Sequence, residues 1–468
     1  MRFVDILRGT VLTAMLFVSV GMASPQVPPA EIPGQAIVRF SPGAMPDSIL
    51  LNVNANVVDS LHGSRTFLIA FPPHVPVQNI INALSQFPEV AFAAANLAVG
   101  LPEVLQISQG FTDQQAESFN AGSSPTRYYN QASDYGLGFD SAQLFTDGAG
   151  TIVAVIDNGI ATQHPLFDQC LLPNGYDFVD NDTDPSEVTG EAYGHGTFVS
   201  GLIHLGAPAS KLLPLRAFGP DGFGNLFAIT KAIYYAIDSG AAIINMSFGV
   251  SIPNTALETA IADAHAAGVT IVAAAGNNGD TSLMYPAAYP GVIAVSALDT
   301  AEQLAAFSNH GAYIDLCAPG ENLYSSMAGD YLWGTWSGTS FAAPLVTAAC
   351  ALLHAESPTL SPDAVATELF ATARRELLSG TVSPPDPRFG MGAVDAFSAL
   401  VDLHRGDVNL SNDVDVADLT SLVDLLFISF TPPPVTVRTA DIDCNGTADV
   451  ADLTKMVDHL FIDFNPFT

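Results

Sequence analysis

The sequence predicts an α/β protein built in three layers, α/β/α, around a mainly parallel sheet, with a small α+β module before it and a small helical module after it. Three observations carry this expectation. Apolar strand-like runs alternate with helical ones from Thr151 to about Leu403, the pattern of a parallel sheet covered on both faces. Short strand-like runs accompany one helical segment within residues 34–100. Near the end, an acidic loop leading into an apolar helical stripe occurs twice, 34 residues apart. A chain of 468 residues has room for about three such units.

Residues 1–24 read as an export signal: Arg2 and Arg8 precede an apolar run from Val11 to Val20, and Gly21 and Ala23 offer small-x-small spacing for cleavage near Ala23. Asp5 is an untypical member of the charged region. The run is well short of the roughly 20 apolar residues a membrane span requires. No later segment is long and apolar enough, so no span is expected in the mature chain. Residues 25–33, "PQVPPAEIP", form a Pro-rich junction.

In the module of residues 34–100, "QAIVRF" and "TFLIAF" are strand-like, and Val77 to Phe87 has helical spacing. Residues 101–127 turn polar and lose periodicity, which reads as an exposed linker and maturation region open to proteolysis. Within residues 128–404, "TIVAVID", "AAIINMSFG", "VTIVAAAGN" and "GVIAVSALD" are buried strands. "LFAITKAIYYAID" and "ALETAIADAHAAG" are helices, as is "SFAAPLVTAACALLHA", with Pro344 placed in its first turn, where a missing N–H costs little. Residues 405–468 hold the two acidic copies, separated by the stiff connector "SFTPPPVT".

Asp and Glu outnumber Lys and Arg by 47 to 14, a formal net charge of −33, which argues against a nucleic-acid partner because phosphate binding depends on clustered Lys and Arg. The four cysteines, Cys170, Cys317, Cys350 and Cys444, show no metal-ligand spacing and predict no particular bridge. Cys350 reads as a small buried residue on a helix.

Chemistry-bearing residues fall at element ends, where open α/β sheets form their sites. "VAVIDNGI" puts Asp157 at a strand end, "YGHGTFVSG" puts His195 between glycines before a helix, and "SGTSFAAP" puts Ser340 at a helix start. Singly, each has a structural reading as a cap or turn. Together, in the order Asp, His, Ser, they suit nucleophilic catalysis. A serine hydroxyl requires a base such as His195 to take its proton, and that base requires an orienting carboxylate such as Asp157.

These stretches, with "AAAGNNG" around Asn277, resemble the subtilisin-like serine proteases from about Tyr128 to Leu403. The resemblance implies peptide-bond hydrolysis by an Asp157-His195-Ser340 triad through an acyl-enzyme. It also implies an oxyanion hole formed by the Asn277 side chain and the Ser340 backbone N–H. Three positions depart from the family pattern: Asn158 after the aspartate, Phe198 in place of a second histidine, and Phe341 after the nucleophile.

By the same resemblance, Ser247, Phe248 and Gly249, with Ala275 and Gly276, should line the pocket for the side chain before the cut bond. Gly222, Phe223 and Gly224 should pair with the substrate as an added strand. Phe248 and Met284 suggest an apolar pocket of limited depth. Residues 34–100 resemble the family's inhibitory propeptide, loosely at its close through Asn96; an ordinary accessory domain is the alternative. A catalytically silent peptide-binding adaptor is the alternative for the whole chain.

The terminal copies place side chains as calcium loops of the EF-hand kind do, at positions 1, 3, 5, 7, 9 and 12. The second offers Asp441, Asp443, Asn445, the Thr447 carbonyl, Asp449 and Asp452, with Gly446 at the turn. The first offers Asp407, Asn409, Ser411, the Asp413 carbonyl, Asp415 and Asp418, with Asn412 in place of the glycine, and is expected to bind Ca2+ less tightly. A solvated acidic tail is the alternative, but it does not account for the repeated "DVADLT". The pair resembles a type I dockerin, which implies an EF-hand-like helical module and a cohesin-type scaffold partner. Val416-Ala417 and Val450-Ala451 stand where that family usually has Ser-Thr. "VDNDTDPSE", residues 179–187, is a further acidic cluster, readable as a solvated loop or another calcium site.

Overall fold

The computed structural model describes residues 31–61, 63–103, 115–118, 125–329, 332–411, 413–429, 439–443 and 445–463. The export signal, residues 1–24, and Cys444 lie outside the described residues.

The N-terminal module is an antiparallel sheet of β1 (Glu31–Phe40), β2 (Asn56–Ser60), β3 (Thr66–Ala70) and β4 (Val90–Gly100), in the order β2-β3-β1-β4. Alternation along β1 divides its side chains between two cores. Ala36, Val38 and Phe40 pack with Ile69 and with Ile80 and Leu84 of the helix Val77–Leu84. Ile37 instead joins the core of the following domain.

That domain contains a seven-stranded sheet, in the order β13-β12-β11-β10-β6-β8-β7, in which every pairing is parallel. Its central strands are β6 (Ile152–Asp157), β8 (Lys211–Arg216), β10 (Ile243–Met246), β11 (Thr270–Ala274) and β12 (Val292–Leu298), edged by β7 (Tyr176–Asp177) and β13 (Leu316–Pro319). Alternate residues feed opposite faces. Val153, Ile243 and Val272 pack under the helices His195–Gly206 and Thr339–Glu356, and Ala154, Ile244 and Ile271 under Leu226–Asp238 and Thr255–Ala266. The first two helices cross closely because Gly206 has no side chain; a Cβ there would lie 2.6 Å from Ala348 Cβ.

Two expectations need correction. Pro344 is the sixth residue of its helix rather than a first-turn residue. The intrahelical bond it cannot give to Ser340 O is replaced by one from Ser247 Oγ, at 2.7 Å. The stretch 101–127 is not an exposed linker throughout. Leu101, Pro102 and Glu103 are buried, and β5 (Gln115–Ser118) pairs with β15 (Leu332–Trp336), which also pairs with β14 (Leu323–Ser326). Strand pairing through the backbone needs no apolar signature, so a polar stretch such as "QAES" conceals it.

The C-terminal residues form two similar units, each a loop leading into a helix, Val416–Asp424 and Val450–Asp458. Val408, Leu422, Ile442 and Met456 make their small shared core. The module meets the central domain at His404, which stacks on Phe145 with ring centroids 5.0 Å apart, lies 2.9 Å from Glu356 and reaches Asp407 of the first loop at 3.5 Å. Cys170, Cys317 and Cys350 are buried free thiols.

Candidate active site

Asp157 closes β6, and its Oδ1 lies 2.7 Å from His195 Nδ1, the first residue of the helix His195–Gly206. The same oxygen accepts the Asn158 N–H at 2.8 Å. The Asn158 side chain then ties the strand end to the helix start. Its Oδ1 accepts the Gly196 N–H at 2.8 Å and its Nδ2 donates to Ala192 O at 2.6 Å. Gly196 permits this approach, since a Cβ there would sit 2.1 Å from Gly159 O.

A residue without a sequence signature completes the helix start. The half-buried Glu187 carboxylate accepts the Gly194 N–H, the Thr197 N–H at 2.7 Å and the Thr197 hydroxyl at 2.5 Å. It takes up donors that a helix leaves unpaired at its first turn. Burial pushes its pKa up to about 7 against these bonds. The other acids of residues 179–187 also have structural tasks. Asp180 pairs with Arg216 at 2.7 Å, and Asp182 and Asp184 accept the Asp184 and Ser186 N–H groups.

Ser340 is the second residue of the helix Thr339–Glu356. Asn277 follows β11, and its Oδ1 accepts both the Thr339 N–H at 2.9 Å and the Thr339 hydroxyl at 2.7 Å. This fixes the amide so that Nδ2 faces the cleft. Gly276, at φ +104°, donates its N–H to Thr339 Oγ1 at 3.1 Å; a Cβ there would meet Met284 Cγ at 2.6 Å. Phe198 and Phe341, two of the departures from the family pattern, pack on each other at 4.6 Å, and Phe341 lies 5.4 Å from the His195 ring.

The cleft is filled by the chain's own N-terminal module. The end of β4 pairs antiparallel with β9 (Phe223–Asn225), placing Ala98, Val99 and Gly100 opposite Asn225, Gly224 and Phe223. Gly100 also bridges Gly249, and Leu101 donates its N–H to Gly222 O at 3.0 Å. Asn96 accepts the Phe227 N–H at 3.1 Å, and Ala95 O accepts from Asn254 Nδ2 at 2.9 Å. The module thus docks on the N-termini of two helices. Glu103 then reaches His195, Ser340 and Asn277. Its Oε2 lies 3.0 Å from His195 Nε2 and accepts the Ser340 hydroxyl at 2.9 Å, and its Oε1 accepts from Asn277 Nδ2 at 2.8 Å. Burial opposes charge on His195, but Asp157 and Glu103 on either side outweigh it and raise its pKa from 6.5 to about 10.

The expected pocket residues divide. Gly222, Phe223, Gly224 and Gly249 flank the extended segment, and Met284 sits between Gly249 and Gly276. Phe248 packs on Phe218 at 5.0 Å in the core beneath, and Ser247 serves the helix carbonyl described above. Ala275 is buried, its carbonyl accepting from the Tyr313 hydroxyl at 2.9 Å.

In the second terminal loop, carboxylate oxygens of Asp441, Asp443 and Asp452 lie within 4.8 Å of one another. Asp441 accepts the Asn445 and Gly446 N–H groups, Asn445 Oδ1 accepts the Thr447 N–H, and Asp449 caps the helix. Asp452 accepts the Ile442, Asp443 and Asp449 N–H groups at 2.7–2.9 Å. In the first loop Asp418 accepts the Asn409 and Asp415 N–H groups, Ser411 Oγ donates to Asp413 O, and Asp407 lies 3.5 Å from His404. That loop gathers no such trio among the described residues.

A parallel α/β sheet carrying an Asp-His contact and a serine at a helix start is the arrangement of a serine hydrolase. Residues 148–392 match the model of the subtilase family, so the chain belongs to that family and is a serine endopeptidase. Residues 25–96 match the fervidolysin N-terminal prodomain, so the first module is a prodomain. The chain is 37% identical over 294 residues to the thermophilic serine proteinase of a Bacillus species, covering 60% of this chain and 67% of that one. It is 34% identical over 392 residues to halolysin of Haloferax mediterranei, covering 77% and 70%, and 33% identical over 264 residues to thermitase of Thermoactinomyces vulgaris, covering 54% and 90%. Among solved structures, fervidolysin of Fervidobacterium pennivorans, titled a keratinolytic enzyme related to subtilisin, shares the fold with a TM-score of 0.67 at 24% identity, over 79% of this chain and 61% of that one.

Proposed function

We propose that Asp157, His195 and Ser340 are the catalytic triad and that Asn277 Nδ2, with the Ser340 backbone N–H, is the oxyanion hole of an exported endopeptidase acting on proteins or peptides. The observation that supports this best is the convergence of His195 Nε2, Ser340 Oγ and Asn277 Nδ2 on one small group, at 2.8–3.0 Å. With a peptide carbonyl there, Ser340 Oγ attacks the carbon while His195 Nε2 takes the hydroxyl proton. Asn277 Nδ2 meets the charge that develops on oxygen. Collapse breaks the C–N bond, and the proton passes from His195 to the leaving amine. Water, deprotonated by His195, then cleaves the ester and restores Ser340. Asp157 holds the ring and stabilises the imidazolium.

The prodomain covers the cleft until it is removed. Met284, between two glycines of the pocket, supports a preference for apolar residues before the cut; a peptide-library profile dominated there by Lys or Glu overturns this preference. Export rests on residues 1–24 and on kinship with proteases such as the extracellular serine protease of Natrialba magadii, 37% identical over 296 residues.

Residues 405–468 are read as a dockerin-like module that positions the enzyme on a cohesin-type scaffold. Calcium would be held by Asp441, Asp443, Asn445, the Thr447 carbonyl, Asp449 and Asp452, and more weakly by Asp407, Asn409, Ser411, the Asp413 carbonyl, Asp415 and Asp418. The gathered carboxylates of the second loop support this ligand set. The ion would cross-link loop and helix in a core too small to hold itself.

The test is hydrolysis of a denatured protein by the mature chain. Activity abolished by a serine-directed phosphonate and by Ser340→Ala is expected. A folded but inactive mature chain points instead to the peptide-binding adaptor.

A further inference from the structure

We propose that Glu103 is an intramolecular ligand of the reaction centre: its side-chain carboxylate takes the place of the scissile carbonyl and silences the uncut chain. The inference rests on the triad reading above and names the group that blocks it.

The backbone explains why a side chain, rather than a peptide bond, arrives there. Substrate-like pairing continues through Gly100 and the Leu101 N–H. Pro102 and Glu103 then turn helical, with Pro102 at a position that suits its fixed φ and absent N–H. The backbone pairing therefore ends at Leu101. From that turn the Glu103 side chain reaches back into the cleft and is only 2% exposed.

A carboxylate is well matched to this position and unreactive in it. Its two oxygens satisfy three donors at 2.8–3.0 Å, and charged acceptors make the stronger hydrogen bonds. Its carbon is a poor electrophile because the negative charge is shared by both oxygens. Gly338 makes room, since a Cβ there would lie 2.0 Å from Oε1. The block is protonic as well as steric. Flanked by Asp157 and Glu103, His195 is held as an imidazolium, and an imidazolium cannot accept the Ser340 proton. Maturation therefore requires Glu103 to withdraw first.

The test uses the full chain, with a fluorescent phosphonate and the labelling rate of Ser340 read on the uncut band. The variants are Glu103→Gln, which removes the charge, and Glu103→Asp, which retracts the carboxylate by one methylene. Ser340→Ala is the blank. The expected result is labelling of Glu103→Gln at least about tenfold faster than wild type, with Glu103→Asp also faster. Wild-type rates in both variants overturn the inference and leave the triad reading intact. If Glu103→Gln gives no cooperative melt, Glu103→Asp decides alone. Failure of every form to label, including chain whose prodomain an added protease has removed, overturns the triad reading and this inference together.

Discussion

The Ser247 hydroxyl donates to the carbonyl oxygen of Ser340 at 2.7 Å, the acceptor that Pro344 leaves without its usual intrahelical donor. Ser247 Oγ also accepts from Asn245 Nδ2 at 2.9 Å, and Ser340 Oγ lies 3.1 Å from Ser247 O. The residue after β10 and the first turn of the helix bearing Ser340 are therefore tied together.

Ser247→Ala leaves a buried carbonyl and a buried amide unsatisfied, which typically costs about 1–3 kcal/mol each. Urea denaturation of the mature chain should show a lower midpoint with an unchanged m-value, and kcat should fall because the helix start is no longer pinned.

Thr339→Val removes the hydroxyl that holds Asn277 Oδ1 and receives the Gly276 N–H. The amide keeps one backbone donor, so kcat is expected to fall about tenfold with little change in KM. Asn277→Ala, which deletes the cleft donor itself, should cost about 10²–10³ in kcat. Equal losses in the two variants would contradict an orienting role for Thr339.

Glu187→Ala strips three donors of their acceptor at the start of the helix bearing His195. Stability should drop by about 1–3 kcal/mol, with a parallel loss of kcat. Glu187→Gln keeps an acceptor oxygen and should recover part of both, as thermal melts and steady-state kinetics would show.

The pairing of His195 makes the precursor's stability depend on pH. Its pKa rises from 6.5 to about 10 in the folded chain, so the pairing stabilises fully below pH 6.5 and is lost as pH rises towards 10. Asp157 and Glu103 face the ring, and Glu187 lies at the helix start. The melting temperature of the uncut Ser340→Ala chain should fall across this interval, and adding Glu103→Gln should flatten the fall.

Chelation tests the terminal loops. EGTA should raise hydrogen exchange in residues 439–463 of the full chain, as should Asp452→Ala without chelator, because Asp452 joins the gathered carboxylates to the helix cap. Hydrolysis by the mature centre should survive if calcium acts only in this module.

Much of the centre was legible in the chain because its parts are local. Asp157 ends an apolar strand, His195 and Ser340 begin helices beside glycines, and Asn277 follows another strand, so each carries its context within a few residues. The alternation of β6, β10, β11 and β12 with helices likewise announces a parallel sheet, since burial on both faces leaves continuous apolar runs.

Glu103 and Glu187 carry no such context. Each is one carboxylate with no motif around it, and Glu103 meets Ser340, 237 residues away. The bond from Ser247 to Ser340 and the fixing of Asn277 by Thr339 also join side chains from separate segments. Periodicity and capping act within a few residues of chain, so the elements and the four residues at their ends could be read before any folding was known. Which carboxylate fills the cleft, and which hydroxyl and amide hold the centre in place, depends on side chains that meet only across the assembled sheet.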